Sequence, residues 1–111
     1  DAGMNDILRP SLYDAYHKIE KVSDCTENKK TFDIVGPICE TGDVLGRDVQ
    51  INNPKKGDVL VINSAGAYGH VMSSNYNSKP KAPEVLIDNG KAKLIKKRET
   101  ITQILENEII L

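Results

Sequence analysis

The sequence has no tryptophan, one phenylalanine and four tyrosines among 111 residues. So few aromatic rings offer few surfaces for stacking, which disfavours an unrelated small-ligand or oligonucleotide-binding barrel. A formal net charge of −1 offers no basic face to a nucleic-acid backbone. No apolar run approaches the roughly 20 residues that cross a bilayer. We therefore expect neither a nucleic acid nor a membrane as a partner.

Cysteine is also scarce, with Cys25 and Cys39 alone. This usage is typical of reduced thiols in the cytoplasm, and we expect a cytoplasmic location. A disulfide stays possible, although no dense spacing pattern supports one. His17 and His70 are too scattered to complete a zinc site with the two cysteines. The chain starts at Asp1, without an initiator methionine or a signal peptide, and we expect it to be a piece of a longer protein.

Short apolar runs bounded by turn residues indicate a mostly-β fold, and the length of the chain indicates a single domain over residues 1–111. The run Val59–Ile62 is apolar on both faces and predicts a buried central strand. The other predicted strands are residues 14–23 (weakly), 31–35 and 43–51, the last with a bend at Gly46. A turn is predicted over residues 54–58. Such spacing favours a barrel or a sandwich.

Two local signals mark the C-terminal third. Asn89 and Gly90 tolerate the positive φ values of a type I′ turn, so residues 84–96 are predicted to form a β-hairpin. Apolar residues at helical spacing then predict a helix within residues 99–107, with Thr100 as its N-cap.

Two glycine-containing segments carry most of the chemistry. Cys39–Asp43 (CETGD) packs a thiol and two carboxylates into five residues. In Ala65–Gly69 (AGAYG), Tyr68 stands between glycines directly after an apolar strand, where the backbone can approach a ligand closely. A third segment, Arg9–Tyr13 (RPSLY), places Arg9 and Tyr13 on one face if it forms a helical turn.

Residue types alone leave purely structural interpretations open for each segment. A cysteine after Ile38 is more often a small buried hydrophobe than a catalytic group. Carboxylates such as Glu40 and Asp43 in turns are usually solvated. Tyr68 could simply pack at the rim of a barrel. The chemical alternatives are specific: a protonated thiol can deliver a proton, and a guanidinium can clamp a carboxylate with two parallel hydrogen bonds.

Together these three segments closely resemble the C-terminal region of the diaminopimelate decarboxylase family. The resemblance runs over nearly the whole chain, from Asp1–Asp6 (DAGMND) to Lys97–Thr100 (KRET). Members use pyridoxal 5′-phosphate to convert meso-diaminopimelate into lysine and CO2. The resemblance implies a Greek-key-like β-barrel that follows a (β/α)8 barrel, whose active site lies at the C-terminal ends of its strands. The lysine that holds the cofactor lies in that barrel, outside this chain.

The resemblance also implies a role for each candidate residue. Cys39 would deliver a proton to the carbon that loses CO2. Glu40 would pair with the distal ammonium of the substrate, whereas Arg9 and Tyr13 would bind its distal carboxylate. Tyr68 would contact both cofactor and substrate.

Family members are homodimers with shared active sites. Cys39 and Glu40 would therefore reach into the site of the partner subunit, and Arg9, Tyr13 and Tyr68 would serve their own. Asp43 would support its loop or a subunit contact. Without the barrel, this piece is expected to be catalytically silent.

Two alternatives stay open within this resemblance. A decarboxylase of the same fold could act on ornithine, arginine or carboxynorspermidine, but substrates without a distal carboxylate have no use for the Arg9 clamp. A non-catalytic relic could regulate an active homologue, but such a relic would have no reason to retain Arg9, Cys39, Glu40 and Tyr68 together.

Overall fold

The computed structural model of the protein describes residues 1–22 and 28–109. Contacts between Cα atoms divide the chain into two units, Asp1–Ser73 and Ser74–Leu111. Both are built mainly of short antiparallel strands, with single helical turns beside them. The mostly-β class is therefore confirmed. Among the described residues, no helix is both long and apolar enough to cross a membrane.

The described part of the first unit contains two short helices and four strands. In chain order they are α1 (Arg9–Tyr13), β1 (Ile19–Lys21), β2 (Lys29–Val35), β3 (Val44–Asn52), β4 (Leu60–Ile62) and α2 (Gly66–Gly69). β1 pairs with β4, and β2 pairs with β3, both antiparallel. Because β1 also lies against β3, the two sheets share one small core, in which Ile7, Ile19 and Leu45 are buried.

β3 is irregular where it passes Gly46. The register between β2 and β3 shifts on both sides of the pair formed by Ile34 and Gly46. A Cβ at Gly46 would lie 2.8 Å from Cγ2 of Val49 and 3.1 Å from Cδ1 of Ile19. The missing side chain lets β1 approach the irregular segment closely. The bend predicted at Gly46 is confirmed.

The turn after β3 forms as predicted. The backbone N–H of Asp58 donates to the carbonyl of Lys55 at 3.0 Å. Gly57 has a φ of 96°, a conformation that glycine adopts without a steric penalty.

The prediction that Val59–Ile62 forms a buried central strand is wrong. Among the described strands, β4 pairs with β1 alone, and it begins at Leu60. Val59 is 64% exposed and Val61 is 42% exposed, whereas Leu60 and Ile62 pack on the core. A short apolar run cannot by itself distinguish a strand covered on both faces from one that is covered on one face.

Only the short strand β1 forms within residues 14–23, where a longer strand was weakly predicted. Asp14 has a φ of 54° and ends α1 in a left-handed conformation, so the segment does not begin extended. Ser23 and Cys25 lie outside the described residues.

The described part of the second unit contains a 3-10 turn, a hairpin and a short helix. The elements are the turn Tyr76–Ser78, then β5 (Glu84–Asp88), β6 (Lys91–Lys96) and α3 (Ile101–Ile104). β5 and β6 pair antiparallel. Asn89 and Gly90 have φ values of 47° and 73°, and both are positive as a type I′ turn requires. The predicted hairpin is confirmed.

α3 is shorter than the helix predicted within residues 99–107. Thr100 is its N-cap as predicted: its hydroxyl accepts from the N–H of Gln103 at 3.2 Å, and the Gln103 side chain accepts from the N–H of Thr100 at 2.9 Å. This capping box supports the first turn. Because Ile101 is 53% exposed, little packing supports a longer helix, and α3 ends at Ile104.

Candidate active site

The segment that carries Arg9 and Tyr13 is a single helical turn, as predicted. Pro10 stands in its first turn, where its missing N–H costs nothing. The N–H of Ala15 donates to the carbonyl of Arg9 at 3.3 Å and, with Asp14 left-handed, closes the turn. The four-residue spacing places Arg9 and Tyr13 on the same side of α1. Tyr13 is 63% exposed and accessible to a ligand.

Arg9 also meets Tyr68, which follows it far along the chain. The Cζ atom of Arg9 lies 5.1 Å from the centroid of the Tyr68 ring. At that distance a guanidinium is attracted to the negative face of the ring. The ring is still half-exposed, so the pair forms a small surface with one cation and one aromatic group.

The segment around Tyr68 is helical, although glycines flank the residue. Tyr68 lies on α2, in which the N–H of Gly69 donates to the carbonyl of Ala65 at 2.8 Å. The carbonyl of Tyr68 accepts in turn from the N–H of Met72 at 3.1 Å. The helical turn gives Tyr68 a defined backbone conformation.

Cys39 and Glu40 lie at the tip of a closed loop between β2 and β3. The N–H of Gly36 donates to the carbonyl of Asp43 at 3.0 Å and closes the base of this loop. The N–H of Asp43 donates to the carbonyl of Glu40 at 3.1 Å and narrows its tip. Cys39 carries a free, exposed thiol. The interpretation of Cys39 as a small buried hydrophobe is therefore wrong; its neighbour Ile38, 6% exposed, is the buried side chain.

Asp43 is a buried residue, not a solvated turn carboxylate. It is 3% exposed. Its Oδ1 accepts from the N–H of Met4 at 2.6 Å, and its Oδ2 accepts from the N–H of Ile38 at 2.7 Å. Its expected role as a support of the loop is what these contacts provide.

Ser11 connects α1 to the loop. Its hydroxyl donates to the carbonyl of Gly42 at 2.6 Å. Sequence reasoning did not identify Ser11, because a serine inside a helical turn carries no signal of a partner far along the chain. The same contact places the segment with Arg9 next to the loop with Cys39.

The candidates thus form two groups. Arg9 and Tyr68 are in contact, and Tyr13 shares the helical turn with Arg9. Cys39 and Glu40 are adjacent on the loop. The hydrogen bond from Ser11 to the carbonyl of Gly42 connects the segment of the first group to the loop of the second.

A groove of about 620 Å³ runs between α1 and β3. Of the five candidates it is lined by Tyr13 alone. His17 lines it too, but is 6% exposed and has Nδ1 3.1 Å from the carbonyl oxygen of Asn63. In the described residues, no cluster of three or more histidine, cysteine or acidic side chains could hold a metal ion.

Comparison with known proteins gives consistent matches. Residues 1–66 match the family described as "Pyridoxal-dependent decarboxylase, C-terminal sheet domain". The diaminopimelate decarboxylase of Aquifex aeolicus (strain VF5) is 55% identical over 106 residues, 96% of this chain and 25% of that protein. The diaminopimelate decarboxylase of Neisseria meningitidis serogroup A is 54% identical over 109 residues, 98% of this chain and 27% of that protein.

Among solved structures, the diaminopimelate decarboxylase of M. jannaschii in complex with L-lysine matches with a TM-score of 0.94 and 40% identity. The match covers 100% of this chain and 25% of that one. The chain therefore spans about a quarter of the length of the relatives that it matches.

Proposed function

The chain belongs to the pyridoxal-dependent decarboxylases by its C-terminal sheet domain, and from this membership we propose that it is the substrate-reading and proton-donating part of a diaminopimelate decarboxylase. The parent enzyme would convert meso-diaminopimelate into lysine and CO2 in the cytoplasm. Residues 1–111 would complete a Greek-key-like β-barrel domain that follows a (β/α)8 barrel. Relatives of that name at 54–55% identity support the substrate.

The observation that carries the proposal is the exposed pair Cys39–Glu40 at the tip of a closed loop. A thiol that must reach a substrate has to be accessible, and Cys39 is. The adjacent Glu40 is exposed as well and offers a carboxylate to an ammonium group. An exposed thiol beside an exposed carboxylate supports a tip that enters another subunit.

At the tip, Cys39 would hold a proton on Sγ and deliver it to the carbon that loses CO2. Proton transfer from a positioned side chain is worth about 10²–10⁴-fold in rate. Glu40 would orient the substrate by pairing with its distal ammonium. These two residues would act in the site of the partner subunit of a homodimer.

On α1 and α2, Arg9 and Tyr13 would bind the distal carboxylate of the substrate. The guanidinium suits a planar carboxylate because two of its N–H groups can donate in parallel. Stacking against Tyr68 limits the positions of Arg9 before substrate arrives, which lowers the entropy cost of binding. Ornithine and arginine have no distal carboxylate, so the arrangement favours diaminopimelate.

Pyridoxal 5′-phosphate, held by a lysine outside this chain, would supply the electron sink for loss of CO2. Two residues of this chain fit one side of the cofactor. The half-exposed Tyr68 ring offers an aromatic surface, and the Arg9 guanidinium offers a cation to an anionic aromatic molecule. Tyr68 would contact the cofactor from this side. Because the rest of the site lies elsewhere in the parent, the 111-residue piece would show no activity by itself.

The test is CO2 release by the full-length parent protein with pyridoxal 5′-phosphate, offering meso-diaminopimelate, ornithine and arginine separately. We expect a strong preference for meso-diaminopimelate. Activity on ornithine or arginine instead would keep the reaction and overturn the substrate. No CO2 from any of the three would support a non-catalytic role.

A further inference from the structure

One carboxylate holds two segments of the first unit together. Asp43 is 3% exposed, whereas Cys39 and Glu40 in the same loop are exposed. Its two oxygens accept from the N–H groups of Met4, at 2.6 Å, and Ile38, at 2.7 Å. Met4 belongs to the N-terminal segment that leads into α1, and Ile38 directly precedes the thiol. The side chain of Asp43 therefore links the loop tip to the framework of its own chain.

The backbones of Gly36 and Gly3 lie close against this carboxylate. A Cβ at Gly36 would lie 2.3 Å and 2.4 Å from the two carboxylate oxygens, and 2.5 Å from Cα of Gly3. A Cβ at Gly3 would lie 3.0 Å from Oδ2 of Asp43. At such distances a methyl group at Gly36 would force its neighbours to shift, so the carboxylate is closely packed on these sides. Ser11 adds a second link through its 2.6 Å hydrogen bond to the carbonyl of Gly42.

We propose that Asp43 is a positioning residue for proton delivery, anchoring the Cys39–Glu40 tip to the N-terminal segment so that the thiol is presented at one fixed place. This inference rests on the proposed function. Cys39 and Glu40 are exposed at the tip of the loop, and an exposed loop samples many positions unless it is held. A displacement of about 1 Å at a reacting group can cost about 10²-fold in rate. Asp43 touches no substrate and acts through the backbone of the loop.

The experiment uses the full-length parent protein with pyridoxal 5′-phosphate and compares Asp43→Asn with a matched control, Asp33→Asn. The Asp33 carboxylate also accepts a backbone N–H, from Asp48 at 3.0 Å, but on the β2–β3 ladder instead of at the loop. For each variant, kcat and KM are measured with meso-diaminopimelate. The alkylation rate of Cys39 by iodoacetamide is followed by mass spectrometry of the peptide that contains it.

In Asp43→Asn an amide NH2 replaces one oxygen and faces a backbone N–H, so the tip is released. We expect kcat to fall by about 10–100-fold and the alkylation rate of Cys39 to rise several-fold. Asp33→Asn should leave both within about twofold, as is usual for surface changes away from the site. The melting temperature of each variant separates release of the tip from global unfolding.

The inference is overturned if Asp43→Asn retains kcat and the alkylation rate of the wild type, or if Asp33→Asn changes them equally. If Asp43→Asn does not fold, Gly36→Ala tests the same carboxylate, because its methyl would lie 2.3 Å and 2.4 Å from the two carboxylate oxygens: faster alkylation and lower kcat support the inference, and unchanged values overturn it. If the wild-type parent releases no CO2 from any substrate, the proposed function fails, and the alkylation rates still decide whether Asp43 holds the tip.

Discussion

The guanidinium of Arg9 lies over the ring of Tyr68, 5.1 Å from its centroid. Arg9 lies on α1, near the start of the first unit in sequence, and Tyr68 lies on α2, near its end. Their contact joins a cation suited to a carboxylate with an aromatic ring suited to a planar cofactor. Family resemblance implies that both residues bind ligands, and this role stays a prediction.

Replacing Arg9 by lysine tests the carboxylate clamp. A lysine keeps the charge but cannot donate two parallel hydrogen bonds, and it stacks less well on Tyr68. Loss of a charge-assisted hydrogen bond costs about 1.5–3 kcal/mol, so we expect KM for meso-diaminopimelate to rise by roughly 10-fold or more in the parent enzyme. Steady-state kinetics of CO2 release measures this.

The control for Arg9→Lys is Arg47→Lys. Arg47 is exposed and lies 3.9 Å from the carboxylate of Asp33 on the β2–β3 ladder. We expect that exposed pair to affect KM very little. Equal KM values for Arg9→Lys and the wild type would contradict the clamp.

The proton-donor role of Cys39 predicts a large loss of kcat in Cys39→Ala, about 10²–10⁴-fold. Cys25→Ala is the control and should retain activity. Because Cys39 is expected to serve the partner subunit, mixing Cys39→Ala with a parent variant that lacks the cofactor-binding lysine should restore part of the activity in heterodimers. Heterodimers without any recovered activity would refute the shared site.

The enclosed carboxylate of Asp43 makes Gly36 sensitive to substitution. In Gly36→Ala the new methyl would lie 2.3 Å from a carboxylate oxygen, and overpacking of this kind costs about 1–3 kcal/mol. At Gly66 a Cβ would meet nothing within 4 Å. We therefore expect Gly36→Ala to lower the melting temperature clearly and Gly66→Ala to leave it unchanged or raise it slightly, as thermal unfolding of the parent protein would show. A melting temperature for Gly36→Ala equal to that of the wild type would contradict this packing.

The second unit should lose stability in acid through Glu99. Hydrogen bonds from the backbone N–H of Lys81 and then from the Asn75 side chain lower the pKa of the Glu99 carboxyl below its ordinary value of 4.5. Because the pKa of Glu99 is lower in the folded state than in the unfolded state, its carboxylate stabilises the fold above the unfolded-state pKa. This stability is lost as pH falls from about 4.5 through the folded-state pKa. An NMR titration should show the lowered pKa directly. Glu99→Gln should remove this part of the acid dependence of unfolding; a pH profile of unfolding equal to that of the wild type would contradict it.

Features set by neighbouring residues could be predicted well. The hairpin at Asn89 and Gly90 needs only their tolerance of positive φ, and the Thr100 cap needs only a hydroxyl before a helical turn. The Arg9–Tyr13 turn and the candidate residues followed from local motifs and family resemblance.

Features set by distant partners could not be predicted. The apolar pattern of Val59–Ile62 does not say that one of its faces is exposed, because that depends on which strands lie beside it. Likewise, nothing in the local sequence of Asp43 or Ser11 names the backbone groups of Met4 and Gly42 that they contact. By itself the sequence determined the turns, the caps and the identity of the reactive groups, since these depend on covalent neighbours. The tertiary structure alone decided which groups are buried, exposed or held together, because those properties arise from contacts between segments far apart in the chain.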